Sequence, residues 1–431
     1  MPGINSFQDL RNRGFVYQAT DEAATIPLLR KEKVHFYAGF DPTADSLHAG
    51  HLLPVMAMRR LQQAGHVPIV LVGGATALVG DPSGKQEARP ILTKDEVAAN
   101  AEALKKQLGR FIAMEDGKAV FVNNADWFMD LLYIDFLREI GSRFSVNRML
   151  AAESVKLRLE TGLSFLEFNY MLLQAYDFHV LNKKYNCKLQ LGGQDQWGNI
   201  VAGVELVRRI SQNEVFGITF PLLTDSAGKK FGKTAGGAVW LDTARTSVFD
   251  YYQFWRNCED ADIAKLLFFF TSLPEDEIKM LSSLETPGLN RAKEILAYEA
   301  TALAHGEAEA AKAYLGACSK FGYSDPEGKI KTSSAVVKIR PDADAGLSDL
   351  PTFKIPLSDF PAEGIWIIKL LTDAGLSSSN GEARRLVQGG GAYINDQRLS
   401  DLNYKIAKSD FNKNSMILKA GKKNVRRIVL E

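Results

Sequence analysis

Short apolar runs alternate with amphipathic stretches through the first half of the chain. The run VHFYA (34–38) is followed by a polar loop and by the helix-like run 52–63, which Gly65 ends before the next apolar run, PIVLV (68–72). This alternation predicts a parallel α/β sheet with crossover helices. Further predicted elements are strands at 119–122 and 188–191, a helix at 197–210, and a helix from the capping box TKDE (93–96) to about residue 108.

The pattern changes in the second half. Mostly helical spacing runs from 247 to about 322, the stretch 328–360 is polar and weakly periodic, and a compact α-then-β pattern begins at residue 365. The predicted parts are an α/β domain, a helical domain, a linker and a small α+β domain, at residues 1–246, 247–327, 328–360 and 361–431. Glycine-rich turns that join strands to helix starts favour nucleotide binding at the carboxyl ends of the sheet.

Composition and charge narrow the class of protein. The 431 residues are 46% hydrophobic and 24% charged, as in an ordinary soluble enzyme, and 52 Lys and Arg balance 51 Asp and Glu. Any RNA-binding surface must therefore be local. Residues 401–431 carry eight Lys and Arg against three acids, a net charge of +5, which fits either a phosphate-facing patch or a solvated charged end.

Cysteine usage and hydropathy bear on the compartment. The three cysteines form no C-x-x-C pair, so neither a zinc knuckle nor a disulfide framework is predicted. The first residues, MPGINSFQDLRNRG, contain no long apolar stretch, and no window reaches the ~18 uninterrupted apolar residues of a membrane span. We expect a soluble, cytoplasmic protein without membrane contact.

The sharpest chemical motif is FDPTADSLHAGH (40–51), which follows a predicted strand and leads into a helix. His48 and His51 are three residues apart and can face one side of the helix start, while Gly50 leaves the backbone open to a close approach. A helix start suits a polyphosphate. The alternatives are a zinc pair, which lacks an H-E-x-x-H pattern, and two structural histidines.

A second motif, GKKFGKT (228–234), places Lys230 and Lys233 on either side of a flexible glycine. Two mobile ammonium groups can stabilise the charge that develops during phosphoryl or nucleotidyl transfer. The alternative is a solvated turn. A P-loop is excluded, because Gly84-Lys85 lacks a glycine five positions upstream and is followed by Gln86.

A third feature lies on one predicted helix face. Tyr170, Gln174 and Asp177 are spaced i, i+4, i+7, so they share a polar stripe on an otherwise apolar helix. Buried hydrogen-bonding groups of this kind need polar partners. The alternative is a stripe exposed on the surface.

Together these motifs resemble a known family. The H-x-G-H and K-x-G-K-[ST] pair resembles the signatures of class I aminoacyl-tRNA synthetases. YAGFDPTADSLHAGH, LVGGATALVGDPSGK, YMLLQAYDF, GGQDQWGN and KFGKT narrow the resemblance to bacterial-type tyrosyl-tRNA synthetases, over nearly the whole chain. The tail is similar to a small RNA-binding module first known from a ribosomal protein, through EARRL (382–386) and GGAYIND (390–396).

The resemblance implies a Rossmann-like catalytic domain, a helical anticodon-side domain and a small RNA-binding domain. It also implies a two-step reaction, in which ATP and L-tyrosine form tyrosyl-adenylate and pyrophosphate, and tyrosine then passes to the 3′ end of its tRNA. No side chain serves as a covalent nucleophile. Magnesium is expected with ATP and not as a protein-bound metal. The family further implies a homodimer.

Residue roles are carried over from the resemblance. The catalytic set is Thr43, His48, His51, Lys85, Arg89, Lys230, Lys233 and Thr234. The tyrosine set is Tyr37 and Asp177 for the phenol, Tyr170, Gln174 and Asp81 for the ammonium group, and Gln196 nearby. The ATP set is Gly39, Asp41, Gly50, Gly193, Asp195 and Lys233. The RNA set is Arg384, Arg385, Lys422, Lys423, Arg426 and Arg427.

Three alternatives share parts of these motifs. A tryptophanyl enzyme has the same fold, but indole offers no hydroxyl to Tyr37 and Asp177. A small-cofactor nucleotidyltransferase needs neither the K-F-G-K-T loop nor an RNA-binding tail. A catalytically idle RNA-binding relative would lack a signature histidine or lysine, and none is missing. The chain departs from the commonest pattern at Ala49, at Gln194 and in the run 389–391.

Overall fold

The computed structural model describes most of the chain, in two compact units, Met1–Ala310 and Ala311–Glu431. For Ser154, Leu157, Lys233 and Thr234 the description covers the backbone alone. The described residues are 5–83, 92–115, 117–160, 162–226, 228, 230–234, 237–286, 288–339, 352–361, 363–395, 397–412, 414–421 and 424–431.

The first unit is built on a six-stranded sheet in the order β1-β6-β5-β2-β3-β4. The five strands β2 to β6 are parallel, and the short β1 joins the edge of the sheet antiparallel to β6. The strands are β1 (Gln18–Ala19), β2 (His35–Phe40), β3 (Val67–Val72), β4 (Val120–Asn123), β5 (Cys187–Gly193) and β6 (Phe216–Phe220).

Burial explains why these runs form strands. All six residues of β3 are buried, as expected for a central parallel strand that is covered on both faces. The α/β architecture and the four predicted strands are confirmed, with boundaries shifted by one or two residues. The sequence did not predict β1, which contributes only two residue pairs to the sheet.

Helices cover the sheet and continue beyond it. Those of the α/β part are α1 (Ser6–Asn12), α2 (Glu22–Lys31), α3 (Leu52–Gln63), α4 (Lys94–Leu108), α5 (Ala125–Phe128), α6 (Tyr133–Glu139), α7 (Val146–Ala151), α8 (Glu153–Leu159), α9 (Phe165–Phe168), α10 (Tyr170–Tyr185) and α11 (Trp197–Ser211). The predicted helices α3, α4 and α11 are confirmed. The capping box is also confirmed, since the backbone N–H of Thr93 donates to Glu96 at 2.8 Å and that of Glu96 donates to Thr93 Oγ1 at 3.3 Å.

A helical block completes the first unit. It consists of α12 (Val248–Arg256), α13 (Ile263–Phe270), α14 (Glu275–Ser282) and α15 (Gly288–His305). Half-buried Arg60 on α3 donates to the carbonyl of Thr271 at 3.0 Å, and buried Arg13 donates to that of Leu273 at 2.7 Å, so two guanidinium groups join the block to the α/β part.

Two short strands form a hairpin near the end of the α/β part, β7 (Lys233–Thr234) and β8 (Gly237–Ala238). The next helix, α16 (Glu307–Phe321), contains the division between the two units. Among the described residues, no helix is both long enough and apolar enough to cross a bilayer.

The second unit ends in a small α+β fold, as the sequence predicts. Its helices are α17 (Ile367–Asp373) and α18 (Asn380–Gln388), and its strands are β9 (Thr352–Ile355), β10 (Ile365–Trp366), β11 (Ala392–Ile394), β12 (Gln397–Leu399), β13 (Lys405–Ile406), β14 (Ser415–Ala420) and β15 (Asn424–Leu430). Five strands form one sheet in the order β12-β11-β14-β15-β9. Strand β9 lies within the stretch 328–360, for which the sequence predicted a linker, and it pairs in parallel with β15.

Candidate active site

The site lies at the carboxyl ends of the parallel strands, where the segments that follow β2, β3, β4 and β5 meet. This is the edge at which open α/β sheets bind ligands. Polar side chains from these segments face α10, which carries the predicted stripe. Two of the three stripe residues, Tyr170 and Asp177, are buried, so the alternative of a stripe exposed on the surface is wrong.

Asp177 and Tyr37 form the buried end of the site. Asp177 is only 2% exposed and accepts hydrogen bonds from Trp127 Nε1 at 2.9 Å and from Asn124 Nδ2 at 3.2 Å. Burial raises the pKa of its carboxyl to about 8, although these two hydrogen bonds oppose the shift. The buried hydroxyl of Tyr37 has no hydrogen-bond partner among the described residues.

The Tyr37 hydroxyl therefore offers an unmet capacity for hydrogen bonding. Burial and then the neighbouring Asp177 raise its pKa well above the ordinary value, which keeps it protonated and able to donate. The ring of Phe178 lies 5.3 Å from that of Tyr37 and adds an apolar wall. A ligand hydroxyl in an otherwise apolar slot could pair with both side chains.

A chain of hydrogen bonds leads from this end to Asp41. Asn124 Nδ2 donates to Thr76 Oγ1 at 3.0 Å, and Thr76 donates to Asp41 Oδ1 at 2.9 Å. The hydroxyl of Tyr170 donates to the other oxygen of Asp41, also at 2.9 Å. The structure thus brings Tyr170, predicted to bind tyrosine, together with Asp41, predicted to bind ATP.

A second polar cluster joins Asp81, Gln196 and Gln174 through Asn199. Gln196 Nε2 donates to Asp81 Oδ2 at 2.7 Å, and Asn199 Nδ2 donates to Gln196 Oε1 at 3.1 Å and to Gln174 Oε1 at 3.2 Å. Asp81 is buried and also accepts the backbone N–H of Ser83 at 2.9 Å. A buried carboxylate of this kind can attract a cationic ligand group.

The H-x-G-H motif forms a 3₁₀ turn, Ala49–His51, at the start of α3. The imidazole rings of His48 and His51 stack with their centroids 3.7 Å apart. His48 Nδ1 accepts the backbone N–H of Gly50 at 3.1 Å, and His51 Nδ1 accepts that of His48 at 3.2 Å. Since each Nδ1 accepts, the proton of a neutral ring lies on Nε2, which becomes a donor.

The second motif, residues 228–234, is called the lysine loop below, and the turn Ala49–His51 is called the histidine turn. The lysine loop contacts the histidine turn directly. Gly232 has a φ of +88°, and a Cβ added there would lie 2.5 Å from the backbone nitrogen of Gly50. The backbone N–H of Ala49 donates to the carbonyl of Val239 at 2.8 Å, just beyond the β7–β8 hairpin. Two motifs that are far apart in sequence therefore share one contact surface.

Of the remaining catalytic candidates, those of the second motif lie beside this surface. Lys230 is exposed. Burial and then the charge of Asp81 raise the pKa of Asp195, and the positive charge of Lys230 offsets part of this rise. Lys233 and Thr234 form β7, next to Gly232. Lys85 and Arg89 lie outside the described residues.

The ATP candidates outside the 3₁₀ turn lie in or just after β2 and β5. Thr43, a catalytic candidate, is exposed, and its backbone N–H donates to the carbonyl of Asp41 at 2.8 Å. Gly39 lies in β2 and is exposed. A Cβ on Gly193 would lie 2.4 Å from Asp195 Oδ1, so a side chain there would collide with that carboxylate.

The RNA candidates of the second unit differ in their contacts. Arg384 stacks on the ring of Trp366 with its guanidinium carbon 5.2 Å from the centroid. Arg426 Nε donates to the carbonyl of Ala374 at 3.0 Å, and Arg427 Nε donates to Ser415 Oγ at 2.9 Å. Arg385 is exposed, while Lys422 and Lys423 lie outside the described residues.

Sequence reasoning missed Asn124, Trp127, Thr76 and Asn199. The first two follow β4, so the rule that ligands bind at strand ends could have indicated them. Asn199 is three residues after Gln196 on the start of α11, a spacing that places both on one face. Thr76 lies in a short 3₁₀ turn, and we see no sequence signal for it.

The three departures from the commonest pattern have structural counterparts. Ala49 is buried beneath Gly232, with a Cβ added to Gly232 lying 3.4 Å from its carbonyl carbon. Gln194 Oε1 accepts the backbone N–H of Leu222 at 3.1 Å, at the start of the segment that leads to the lysine loop. A Cβ on Gly390 would lie 1.9 Å from the Arg398 guanidinium, which fills that turn.

Metal binding has little support at the turn. Both Nδ1 atoms of His48 and His51 accept backbone N–H groups, which leaves those atoms unsuited to zinc. Within the described part of the chain, no group of three or more His, Cys, Asp and Glu is arranged to hold a metal ion. The sequence expectation that magnesium arrives with ATP remains a prediction.

Comparison with known proteins adds independent findings. A family profile described as "tRNA synthetases class I (W and Y)" matches residues 29–320, and one described as "Tyrosine--tRNA ligase SYY-like C-terminal domain" matches residues 342–428. The chain is 49% identical to the tyrosine–tRNA ligase of Clostridium beijerinckii, over 99% of this chain and 100% of that one. It is 48% identical to the tyrosine–tRNA ligase of Clostridium perfringens, over 99% of each chain.

Solved structures agree on the fold. A C-terminally truncated mitochondrial tyrosyl-tRNA synthetase of Aspergillus nidulans has a TM-score of 0.65 at 32% identity, covering 73% of this chain and 93% of that one. A tyrosyl-tRNA synthetase of Archaeoglobus fulgidus complexed with L-tyrosine has a TM-score of 0.55 at 20% identity, covering 72% of this chain and 99% of that one, and supports the fold alone.

Proposed function

This chain belongs to the tyrosyl-tRNA synthetase family and is a tyrosine–tRNA ligase, and on that premise we propose how its residues divide the reaction. ATP and L-tyrosine combine to tyrosyl-adenylate with release of pyrophosphate. Tyrosine then passes to the 3′ end of its tRNA. The observation that carries the assignment is the buried Tyr37–Asp177 pair at the same strand ends where the lysine loop meets the histidine turn.

The phenol of tyrosine binds between Tyr37 and Asp177. The Tyr37 hydroxyl, which has no partner among the described residues, gains one, and Asp177 receives or shares the phenolic hydrogen bond. A tryptophan side chain would leave both groups without this partner, and so would phenylalanine. The cost of leaving buried polar groups unpaired supports selection of tyrosine.

The ammonium group of tyrosine binds where Asp81, Tyr170, Gln174 and Gln196 converge. Asp81 supplies the negative charge, and the amide oxygens of Gln174 and Gln196 are oriented by a shared donor, Asn199. This arrangement holds the carboxylate of tyrosine toward the nucleotide side. Activation then depends on positioning, because a well-placed carboxylate and α-phosphate need no covalent catalyst.

ATP binds across the histidine turn and the ends of β2 and β5. The Nε2–H groups of His48 and His51 donate toward the phosphates and ribose, with Thr43 on the phosphate side. The nucleotide-binding surface is formed by Gly39, Asp41, Gly50, Gly193 and Asp195. At the three glycines, which have no side chain, the nucleotide can approach the backbone closely. Lys230, Lys233 and Thr234 close over the pyrophosphate, and Lys85 and Arg89 approach from the other side.

Magnesium enters with ATP. The bound ion would neutralise phosphate charge, which is the chemistry that oxygen-preferring Mg²⁺ supplies in nucleotide reactions. The protein residues supply only the donors described above. A cytoplasmic location, expected from the sequence, is part of the same proposal and would be contradicted by recovery of the enzyme in a membrane or secreted fraction.

The second unit contributes the tRNA surface. Arg384 and Arg385 on α18, with Lys422, Lys423, Arg426 and Arg427, meet RNA phosphates through charge and without reading bases. The bonds that Arg426 and Arg427 make through Nε leave their terminal nitrogens able to donate to phosphate. The helical block of the first unit would lie on the anticodon side.

We further propose a homodimer through the surface formed by residues 129–166. This surface holds nine of the fifteen large apolar side chains that are most exposed in the described part of the chain, including Leu132, Ile134 and Phe165, which is 70% exposed. Apolar concentrations of this kind mark interaction sites. Sedimentation equilibrium should give a dimer that Ile134→Asp dissociates, and a monomeric parent would contradict the proposal.

The role of the lysine loop has a direct test. We expect Lys233→Ala to slow single-turnover tyrosyl-adenylate formation by about 10²-fold or more, because charge stabilisation acts in the transition state. Tyrosine affinity, measured by equilibrium dialysis, should stay within about twofold. Lys331→Ala, at an exposed lysine outside the site, is the matched control. An unchanged rate for Lys233→Ala would remove the loop from the mechanism.

A further inference from the structure

The segment that leads into the lysine loop is held from outside by one ion pair. Asp262 Oδ2 accepts the backbone N–H of Ser226 at 2.9 Å, and Lys265 Nζ donates to the carbonyl of Thr224 at 2.6 Å. The two side chains also bond each other, Lys265 Nζ to Asp262 Oδ1, at 2.9 Å. Asp262 and Lys265 thus hold two backbone groups of residues 223–226, the segment that leads into the lysine loop and is called its root below.

The Asp262 carboxylate is buried and is stabilised by its neighbours. Asp262 is only 4% exposed, so its carboxylate depends on Ser226 and Lys265 for hydrogen bonds. It stands directly before α13, where the first backbone N–H groups of the helix favour a negative charge. The Lys265 side chain is 36% exposed, so Asp262 is the buried member, and loss of Lys265 would leave its carboxylate with the Ser226 N–H alone among the described residues.

The root is paired with the part of the loop that carries Lys230. Thr224 forms a β-bridge with Lys230, and the backbone N–H of Phe231 donates to the carbonyl of Leu223 at 2.9 Å. The loop therefore leaves and returns at the same gripped segment. A displacement of residues 223–226 would move Lys230 and the start of β7 with it.

One side of the loop packs against α12, and another side faces a cavity. The ring of Phe231 packs against those of Phe254 and Trp255 on α12, with centroids 4.9 and 5.4 Å apart. Between the loop and α12 lies an open polar cavity, lined among others by Lys230, Asp250 and Gln253. The loop body thus has room to move, while its root is tied to the helical block.

We propose that Asp262 and Lys265 are positioning residues that set the pose of the Lys230–Lys233 loop for pyrophosphate. They act by fixing the backbone of residues 224–226. The pair also links the helical block, which is placed on the anticodon side, to the catalytic loop. This inference rests on the proposed role of the loop in adenylate formation.

The test is single-turnover tyrosyl-adenylate formation in the full-length enzyme. Asp262→Ala should lower the rate constant by about 10²-fold, the cost of a displacement near 1 Å at a reacting group, with tyrosine affinity unchanged. Asp262→Asn keeps an acceptor for the Ser226 N–H and should lose clearly less. Lys265→Met should also slow the reaction, since it releases the Thr224 carbonyl.

A neighbouring ion pair provides the matched control. Lys293 Nζ lies 2.5 Å from Asp260, in the same 3₁₀ turn as Asp262, but this pair ties the turn to α15 and not to the loop. Lys293→Met should therefore affect melting temperature without changing the rate constant. A general structural role for Asp262 would instead make both alanine and asparagine variants lose tyrosine binding and rate together, which would overturn the proposal.

Combination with Lys233→Ala separates the two hypotheses. If Lys233 acts as proposed, Asp262→Ala should add little to the loss in the Lys233→Ala background, because both act through one loop. A slow Lys233→Ala with a normal Asp262→Ala would overturn the positioning role alone. Normal rates for both would overturn the proposed role of the loop itself.

Discussion

At the scale of single residues, the site depends on one buried carboxyl. Asp177 has lost its water, and the groups that compensate are an amide and an indole N–H, both neutral. Neutral donors offset only part of the cost of a buried charge, which is why the pKa of Asp177 is raised to about 8. Near neutral pH the free enzyme therefore carries a protonated acid at this position, which can donate as well as accept.

This shift predicts a pH dependence of stability. The pKa of the carboxyl rises from 3.8 in its ordinary setting to about 8 in the folded protein, so the unfolded chain releases the proton first as pH rises. Wild-type stability should fall between about pH 4 and pH 8 relative to Asp177→Asn and change no further above that range. The measurement is the difference in melting temperature across pH 4–10.

The exposed Asp276→Asn serves as the matched control, and the difference between its melting temperature and that of the wild type should stay constant across this range of pH. A difference between Asp177→Asn and wild type that stays constant from pH 4 to pH 10 would show that Asp177 is ionised throughout. That result would contradict a protonated Asp177 in the free enzyme at neutral pH.

Residue spacing predicted which polar side chains share one face of α10. The i, i+4, i+7 face of α10 followed from periodicity alone, because a helix fixes which side chains share a side. Asn124 and Trp127 lie beside and in the short helix α5, where no spacing rule applies, so only the rule that ligands bind at strand ends could have indicated them.

At the scale of elements, the contact between the lysine loop and the histidine turn organises the proposed phosphate side of the site. Gly232 and Gly50 lie backbone to backbone, and hydrogen bonds on the far side of the β7–β8 hairpin hold the arrangement, including Leu241 N–H to the carbonyl of Leu47 at 2.8 Å. The sequence predicted both motifs but not this contact. Close approach of two glycines is a tertiary feature without a periodic signal.

Two glycines of the same loop allow a matched test of this contact. Gly232 and Gly228 both have positive φ, +88° and +79°, so alanine strains the backbone at each. Among the described residues, the new Cβ would collide at Gly232, with the Gly50 nitrogen 2.5 Å away, whereas none lies within 4 Å of a Cβ at Gly228. We expect adenylate formation to slow by about 10²-fold more in Gly232→Ala than in Gly228→Ala.

Stopped-flow measurement of adenylate formation, with the melting temperature of each variant recorded, is the appropriate assay. Comparable rates in the two alanine variants would mean that backbone strain, and not the separation of loop and turn, governs the loss. In that case the shared surface of the two motifs would have no catalytic importance.

At the scale of the whole molecule, the chain joins an activating unit to a small C-terminal fold. The core of this fold is apolar and includes Ile368, Leu371, Val387, Leu418 and Ile428. Strand β9 belongs to the same sheet, although its four residues are flanked by Pro351 and Pro356 and give no strand signal in the sequence. A truncation that respects this sheet must therefore end before β9.

Removal of all residues after Ile339 should spare adenylate formation and abolish most tRNA charging, because the proposed phosphate contacts are lost. The double variant Arg384→Gln, Arg385→Gln in the intact chain should weaken tRNA binding and make it less sensitive to salt, since fewer phosphates are neutralised. Normal charging by the truncated enzyme would contradict the role of the second unit.

The most direct test of the central claim is amino-acid-dependent exchange of pyrophosphate into ATP. We expect exchange with tyrosine, and none above background with phenylalanine or tryptophan, because only a phenol satisfies Tyr37 and Asp177 together. Exchange driven equally by phenylalanine or tryptophan would contradict the assignment of the pocket. Absence of exchange with all three, in folded protein with magnesium, would contradict the claim that the two motifs form an ATP-dependent activating site.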